Sequence, residues 1–209
     1  RVQFASLGIL SGAWGAHVPS IKQHFALTEV SLSVVLLFVA LGVLFSLMFV
    51  GRVVERLTAR GAALIGGLLI SAALAAMLHA PGFVLLLPIA FILGASMSLF
   101  DVSINADGTE LEHVGGKPIM SNLHGMFSAG GMAGAALVAL LLRLGMPAAE
   151  QLALISGVLA VVIVVASRGM LVTHSTSDEP KQNFAWPRGL LLVIGLLILA
   201  GMIAEGVMY

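Results

Sequence analysis

Between Gly61 and Phe100 the chain runs for forty residues without a single Asp, Glu, Lys or Arg. A helix crosses the hydrocarbon of a bilayer in about 20 apolar residues, so this one run is long enough to cross twice. The remaining charges gather in short clusters with apolar stretches between them. They amount to 10% of 209 residues against 59% hydrophobic, where a soluble domain carries roughly 25% charged. Ten basic and ten acidic side chains are too few to solvate the surface of a soluble fold of this length. The chain is expected to be an all-α polytopic membrane protein.

Charges and turn residues bracket the spans. Helix 1 lies between Arg1 and Lys22, and helix 2 between Glu29 and Arg52. The sequence HAPG at 79–82 divides the uncharged run, because Pro and Gly punctuate helices; this gives helix 3 over about 61–79 and helix 4 over about 83–106. Helix 5 falls between Lys117 and Arg143, helix 6 between Gln151 and Arg168, and helix 7 begins near Arg188 after a polar connector at 173–187. The first span has no small-residue cleavage site and reads as a spanning helix, not a signal peptide. The chain starts at Arg1 without a Met and stops inside the apolar run AEGVMY, so it reads as a fragment of a longer polypeptide.

Lys and Arg accumulate on the cytoplasmic side of membrane proteins. With the N-terminus inside, the inner segments hold Arg1, Arg52, Arg56, Arg60, Lys117, Arg168, Lys181 and Arg188, and the outer ones only Lys22 and Arg143. That asymmetry predicts a multi-pass protein of the cell (inner or plasma) membrane with a cytoplasmic N-terminus. Six helices, a connector and a seventh helix suggest one complete half at 1–172 and the start of a second at 188–209, as in transporters built from repeats. A complete seven-helix receptor is the alternative, and it places the N-terminus outside, against the charge bias.

Between helices 2 and 3 stands GRVVERLTARG, 51–61. It resembles the signature loop of the major facilitator superfamily, G-x-x-x-D-R-x-G-R-R. Gly51, Arg56 and Arg60 match, Glu55 stands for Asp, and Thr58 replaces the second Gly. The resemblance implies a six-helix bundle of 3+3 inverted repeats plus the first helix of a second bundle, part of a twelve-helix transporter. It also implies that Glu55, Arg56 and Arg60 belong to a cytoplasmic charge cluster that latches the two halves, with Asp107 as a partner for one arginine. The plainer reading of the arginines is that they only set topology. Helix 4 lacks the arginine pattern of many proton-coupled drug exporters, and SAGGMAGA (128–135) lacks the Pro of the antiporter signature. Over its whole length, and most visibly from Asp101 to Ala135, the chain is similar to a bacterial subgroup that includes rhizopine-associated membrane proteins.

Helical spacing then sorts the polar residues. Gly94, Ser98, Asp101 and Asn105 share one face of helix 4, His124, Ser128, Gly131 and Ala135 one face of helix 5, and Gly8, Gly12, Gly15 and Pro19 one face of helix 1. Small residues let membrane helices approach closely, which accounts for the glycines but not for Asp101. A carboxylate at the centre of a spanning helix costs about 2.5–3.5 kcal/mol on insertion scales and usually marks an ion or substrate pathway. At 1.5 Å per residue Asp101 sits roughly 10 Å to the cytoplasmic side of its helix midpoint and His124 about 8 Å inside its own, so the two share a level. Asn105 is either a cavity residue or a boundary residue. Trp14 and His17 lie near the outer end of helix 1, where an interfacial aromatic belt is common. Aligning SGAWGA (11–16) with MIAEGV (202–207) puts Glu205 where Trp14 stands, making Glu205 a second intramembrane acid or the outer boundary of helix 7.

A net charge of zero gives no nucleic-acid footprint. The six histidines show no metal-ligand spacing and there is no cysteine. No phosphate-binding loop or nucleophile elbow is present, which argues against an ATP-driven pump and a membrane hydrolase. The expected function is not enzymatic: secondary transport of a small polar, sugar- or polyol-like solute through the bilayer, as a monomer, by proton symport with no cofactor beyond the proton gradient. Asp101 would carry the proton with His124 tuning it, while Trp14, His17, Asn105 and Glu205 shape the cavity. Proton-driven efflux of drugs or metabolites, and a non-transporting membrane sensor or scaffold, are the alternatives.

Overall fold

A computed structural model describes residues 1–172 and 188–207. The helices are α1 (Val2–His24), α2 (Glu29–Ala76), α3 (Phe83–Gly115), α4 (Met120–Arg143), α5 (Ala148–Ser167) and α6 (Leu190–Val207), with a 3₁₀ turn at Met77–His79 between α2 and α3. The first five helices form one compact unit and α6 belongs to a second. The connector 173–187 lies outside the described residues.

Among the described residues, Glu29–His79, α3, α4 and α5 are each long and apolar enough to cross a membrane. Helix α1 has the length, at 23 residues, but its apolar character is diluted by Gln3, Ser6, Ser11, His17 and Ser20. Gln3, Ser6 and His17 are buried inside the bundle.

The 48 residues of α2 would measure about 72 Å as one straight rod, more than twice the hydrocarbon thickness. The rod is broken at Thr58, whose φ of 65° and ψ of 161° are not helical. Phe45 and Leu69 line the same cleft, although a straight helix would separate them by about 36 Å. The chain therefore doubles back at Thr58, and α2 supplies two antiparallel limbs, 29–57 and 59–76. A link across 51–61 was expected between these two spans. The reversal takes one residue, because Arg52 to Leu57 are ordinary helix formers and nothing in the segment stops the helix before Thr58.

Helix 4 was expected to end near residue 106, yet α3 continues to Gly115 and ends at Gly116, whose φ of 61° is left-handed and whose N–H donates to the Glu112 carbonyl at 2.9 Å. Glu110, Leu111 and Glu112 have high helix propensity, and outside hydrocarbon they extend the helix at no desolvation cost. Glu112 Oε1 accepts the backbone N–H groups of Ile119 and Met120. It thereby satisfies donors that the start of α4 leaves without intrahelical partners.

Two glycine seams hold the unit. A Cβ on Gly8 or Gly12 of α1 would stand 2.1 Å from the carbonyl oxygen of Phe127 or Gly131 on α4, and Gly130 and Gly134 answer against Ala5 and Ile9. The paired numbers rise together, so α1 and α4 run parallel. Gly42 of α2 and Gly94 of α3 make the equivalent close approach, with a Cβ falling 2.0 Å from the Phe91 oxygen and 1.9 Å from the Val39 oxygen. Close backbone approach is how membrane helices gain packing without a hydrophobic driving force.

Candidate functional site

The outer part of the polar stripe on α3 is taken up in packing: Gly94 and Ser98 are buried. One turn further along, Asp101 is exposed on the surface of the unit. Asn105 Nδ2 donates to the Asp101 carboxylate Oδ1 at 3.0 Å and to its backbone oxygen at 2.9 Å. Thr109 Oγ1 in turn donates to the Asn105 carbonyl at 3.0 Å. The spacing i, i+4, i+8 that puts these three on one face thus becomes a polar ladder running toward the end of α3.

His124 stands exposed on α4. Its ring meets the buried ring of Phe4 on α1 edge-on, with centroids 5.6 Å apart and planes at 80°. It lies within electrostatic reach of Asp101, and no hydrogen bond joins the two. Asp101, Asn105 and His124 are therefore brought to one neighbourhood at the α1–α3–α4 surface. Phe4, the support of the histidine, was not singled out in the sequence because it is one apolar residue among many.

The other residues fall elsewhere. Trp14 is half-buried against the apolar core. His17 is fully buried, with Nδ1 3.3 Å from Ser20 Oγ and Gln151 of α5 facing it. Gln151 is fully buried as well, and its Nε2 donates to the Met146 carbonyl at 2.7 Å. These two belong to the seam between α1 and α5. Glu205 is on α6, and its side chain lies outside the described residues.

Near the reversal of α2, a Cβ on Gly51 would meet nothing within 4 Å, Glu55 and Arg56 are exposed and Arg60 is half-buried. None of the charged residues there forms an ion pair with a described residue; the ion pair present joins Lys22 and Glu29 across the α1–α2 turn. Asp107 is buried, and its Oδ1 accepts the Leu171 N–H at 2.9 Å. It ties the end of α3 to the segment after α5, and among the described residues no arginine forms an ion pair with it. Thr58, at the motif position where the superfamily carries Gly, adopts a backbone conformation that is essentially reserved for Gly. Its Oγ1 accepts the N–H of Gly61 at 3.2 Å and so caps the second limb.

The chain is 30% identical along its full length to an uncharacterized MFS-type transporter of Yersinia pestis, covering 54% of that protein. It is 30% identical over 95% of its length to an uncharacterized transporter, y4wD, of Sinorhizobium fredii, covering 53% of it. Over 63% of its length it is 30% identical to the membrane protein MosC of Rhizobium meliloti. The chain spans about half the length of the first two relatives. No protein-family profile matches it, and no solved structure does.

Proposed function

The chain belongs to the major facilitator superfamily, and from that premise we propose that the whole protein is a secondary transporter that couples proton movement to uptake of a small polar solute. The observation that carries the reading is the Asp101 carboxylate, presented on the surface of an apolar helix and oriented by Asn105. A carboxylate kept in a spanning helix with its own hydrogen-bond donor is the arrangement expected of a proton or substrate site. In alternating access, two six-helix bundles rock around a central site. The face bearing Asp101, Asn105 and His124 would turn toward that site, where the proton is taken up in one orientation and released in the other. His124 adds a second titratable group beside it, fixed by Phe4. A solute rich in hydroxyl groups would find acceptors in Asp101 and in the side-chain carbonyl oxygen of Asn105, whose two N–H groups are already held by Asp101.

The same reading places the N-terminus in the cytoplasm of a cell whose inner or plasma membrane holds the protein, following the excess of Lys and Arg on that side. The reversal at Thr58, with Glu55, Arg56 and Arg60 around it, then lies at the cytoplasmic surface as part of the gate.

A substrate screen tests the reading: full-length protein in sealed vesicles, with radiolabelled polyols, sugars and amino sugars, in the presence and absence of an inward proton gradient. Gradient-dependent accumulation of one class is the expected result. Extrusion driven by the gradient would establish export instead, and binding without movement a sensor.

A further inference from the structure

Past the close approach of Gly42 and Gly94, α2 and α3 part and a cleft of about 250 Å³ opens between them. Phe45, Phe49 and Val53 of the first limb of α2, Leu69 of the second limb, and Ile92 and Leu99 of α3 form its walls. Phe45 stacks at a tilt on Phe49, centroids 5.1 Å apart, and on Phe91, 5.5 Å apart. The aromatic rings thus brace one another and still leave Phe45 51% and Phe49 41% exposed.

The apolar wall runs directly into charge. Phe45, Phe49, Arg52 and Arg56 follow the spacing i, i+4, i+7, i+11 and share one face of α2. Both arginines are exposed, and neither forms an ion pair with a described residue. On α3, Ile92 and Leu99 stand about half a turn around the helix from Asp101. If the Asp101 face looks into the transport pathway, as the proposed function has it, the cleft opens on a different side, toward lipid.

The geometry points to a binding site for an anionic phospholipid, with an acyl chain in the cleft between α2 and α3 and the headgroup phosphate held by Arg52 and Arg56. Guanidinium groups match phosphate oxygens in paired hydrogen bonds. Two exposed guanidinium groups at the end of an apolar groove, with the one carboxylate of Glu55 between them in sequence, leave a net positive charge that complements such a headgroup and not a zwitterionic one. Each basic residue near an anionic membrane surface contributes about fivefold in affinity, so the pair gives about 25-fold.

The test uses the full-length protein in detergent, titrated with dioleoylphosphatidylglycerol or dioleoylphosphatidylcholine, with bound lipid counted by native mass spectrometry. The wild type is expected to prefer phosphatidylglycerol by about 25-fold. Arg52→Gln/Arg56→Gln brings the two lipids near parity, Arg52→Lys/Arg56→Lys keeps most of the preference, and inorganic phosphate does not displace the lipid. Ala95→Leu, which fills the cleft, weakens both lipids alike. Parity in the wild type, a preference that survives the double glutamine variant, displacement by phosphate, or undiminished binding to Ala95→Leu would each overturn the site. Bound lipid is read without transport. Parity of the two lipids in a wild type that still shows proton-driven uptake therefore strikes this site alone, and a phosphatidylglycerol preference in a wild type without such uptake strikes the transport reading alone.

Discussion

Asn105 holds the Asp101 carboxylate from one turn further along the same helix, donating to Oδ1 at 3.0 Å. The bond is local to α3, so it persists whatever the rest of the protein does, and it orients the carboxylate relative to the open face. A hydrogen bond to a charged group contributes about 1.5–3 kcal/mol. Asn105→Leu, which keeps the bulk and removes the donor, is therefore expected to lower the uptake rate by about tenfold or more, while Asn105→Ser keeps part of it. Initial rates at saturating solute would show this. Wild-type rates in Asn105→Leu would leave the ladder without a role in transport.

Thr58 gives a prediction in the opposite direction from most substitutions. A non-glycine residue held in that region of backbone space costs about 1–3 kcal/mol. A Gly cap is weaker than Thr by only a few tenths of a kcal/mol, and its extra freedom in the unfolded chain costs about 0.4–1 kcal/mol. Thr58→Gly is expected to stabilise the protein by about 1 kcal/mol. Thr58→Ala keeps the strain, loses the cap and destabilises by about 1 kcal/mol. Thermal unfolding in detergent orders the three proteins. A Thr58→Gly variant that melts below the wild type would contradict the strain.

The glycines divide by surroundings. A Cβ at Gly94 would stand 1.9 Å from the Val39 oxygen and at Gly12 2.1 Å from the Gly131 oxygen, whereas at Gly51 it meets nothing within 4 Å. Gly94→Ala and Gly12→Ala are expected to destabilise by about 1–3 kcal/mol each, the ordinary cost of overpacking. Gly51→Ala, in an exposed stretch of helix, is expected to be neutral or stabilising by up to about 1 kcal/mol. Unfolding temperatures of the three variants decide it; equal losses at all three would mean that the seams are looser than described.

Asp107 is expected to behave as a structural acceptor. Asp107→Ala leaves the Leu171 N–H without its partner and costs about 1–3 kcal/mol. Asp107→Asn still offers a carbonyl oxygen and costs well under that. If Asp107→Asn instead impaired transport while stability held, its charge would be needed at the gate, as the family resemblance suggested.

Much of the helix layout was legible because bilayer thickness imposes a length on each apolar run, and the Pro-Gly break at 81–82 is a local signal. The helix ends were less legible. Glu110 and Glu112 continue α3 into water, and the hydrophobicity that marks a span says nothing about where a helix stops once outside it. Within the site, the Asp101–Asn105 pair could be read from spacing, since both residues lie on one helix. The partner of Asp107 could not, because Leu171 is 64 residues away and donates through its backbone. His17 shows the same limit. Its burial against α5 depends on how α1 packs, and a histidine near a helix end carries no mark of which neighbour it will face.

Uptake into proteoliposomes by Asp101→Asn, using the solute that the screen identifies, tests the central claim most directly. Asparagine keeps the shape and the contact with Asn105 but cannot carry the proton. The variant is expected to lose accumulation driven by an imposed pH gradient while still exchanging labelled for unlabelled solute at equilibrium. Accumulation at the wild-type level under the same gradient would contradict the account.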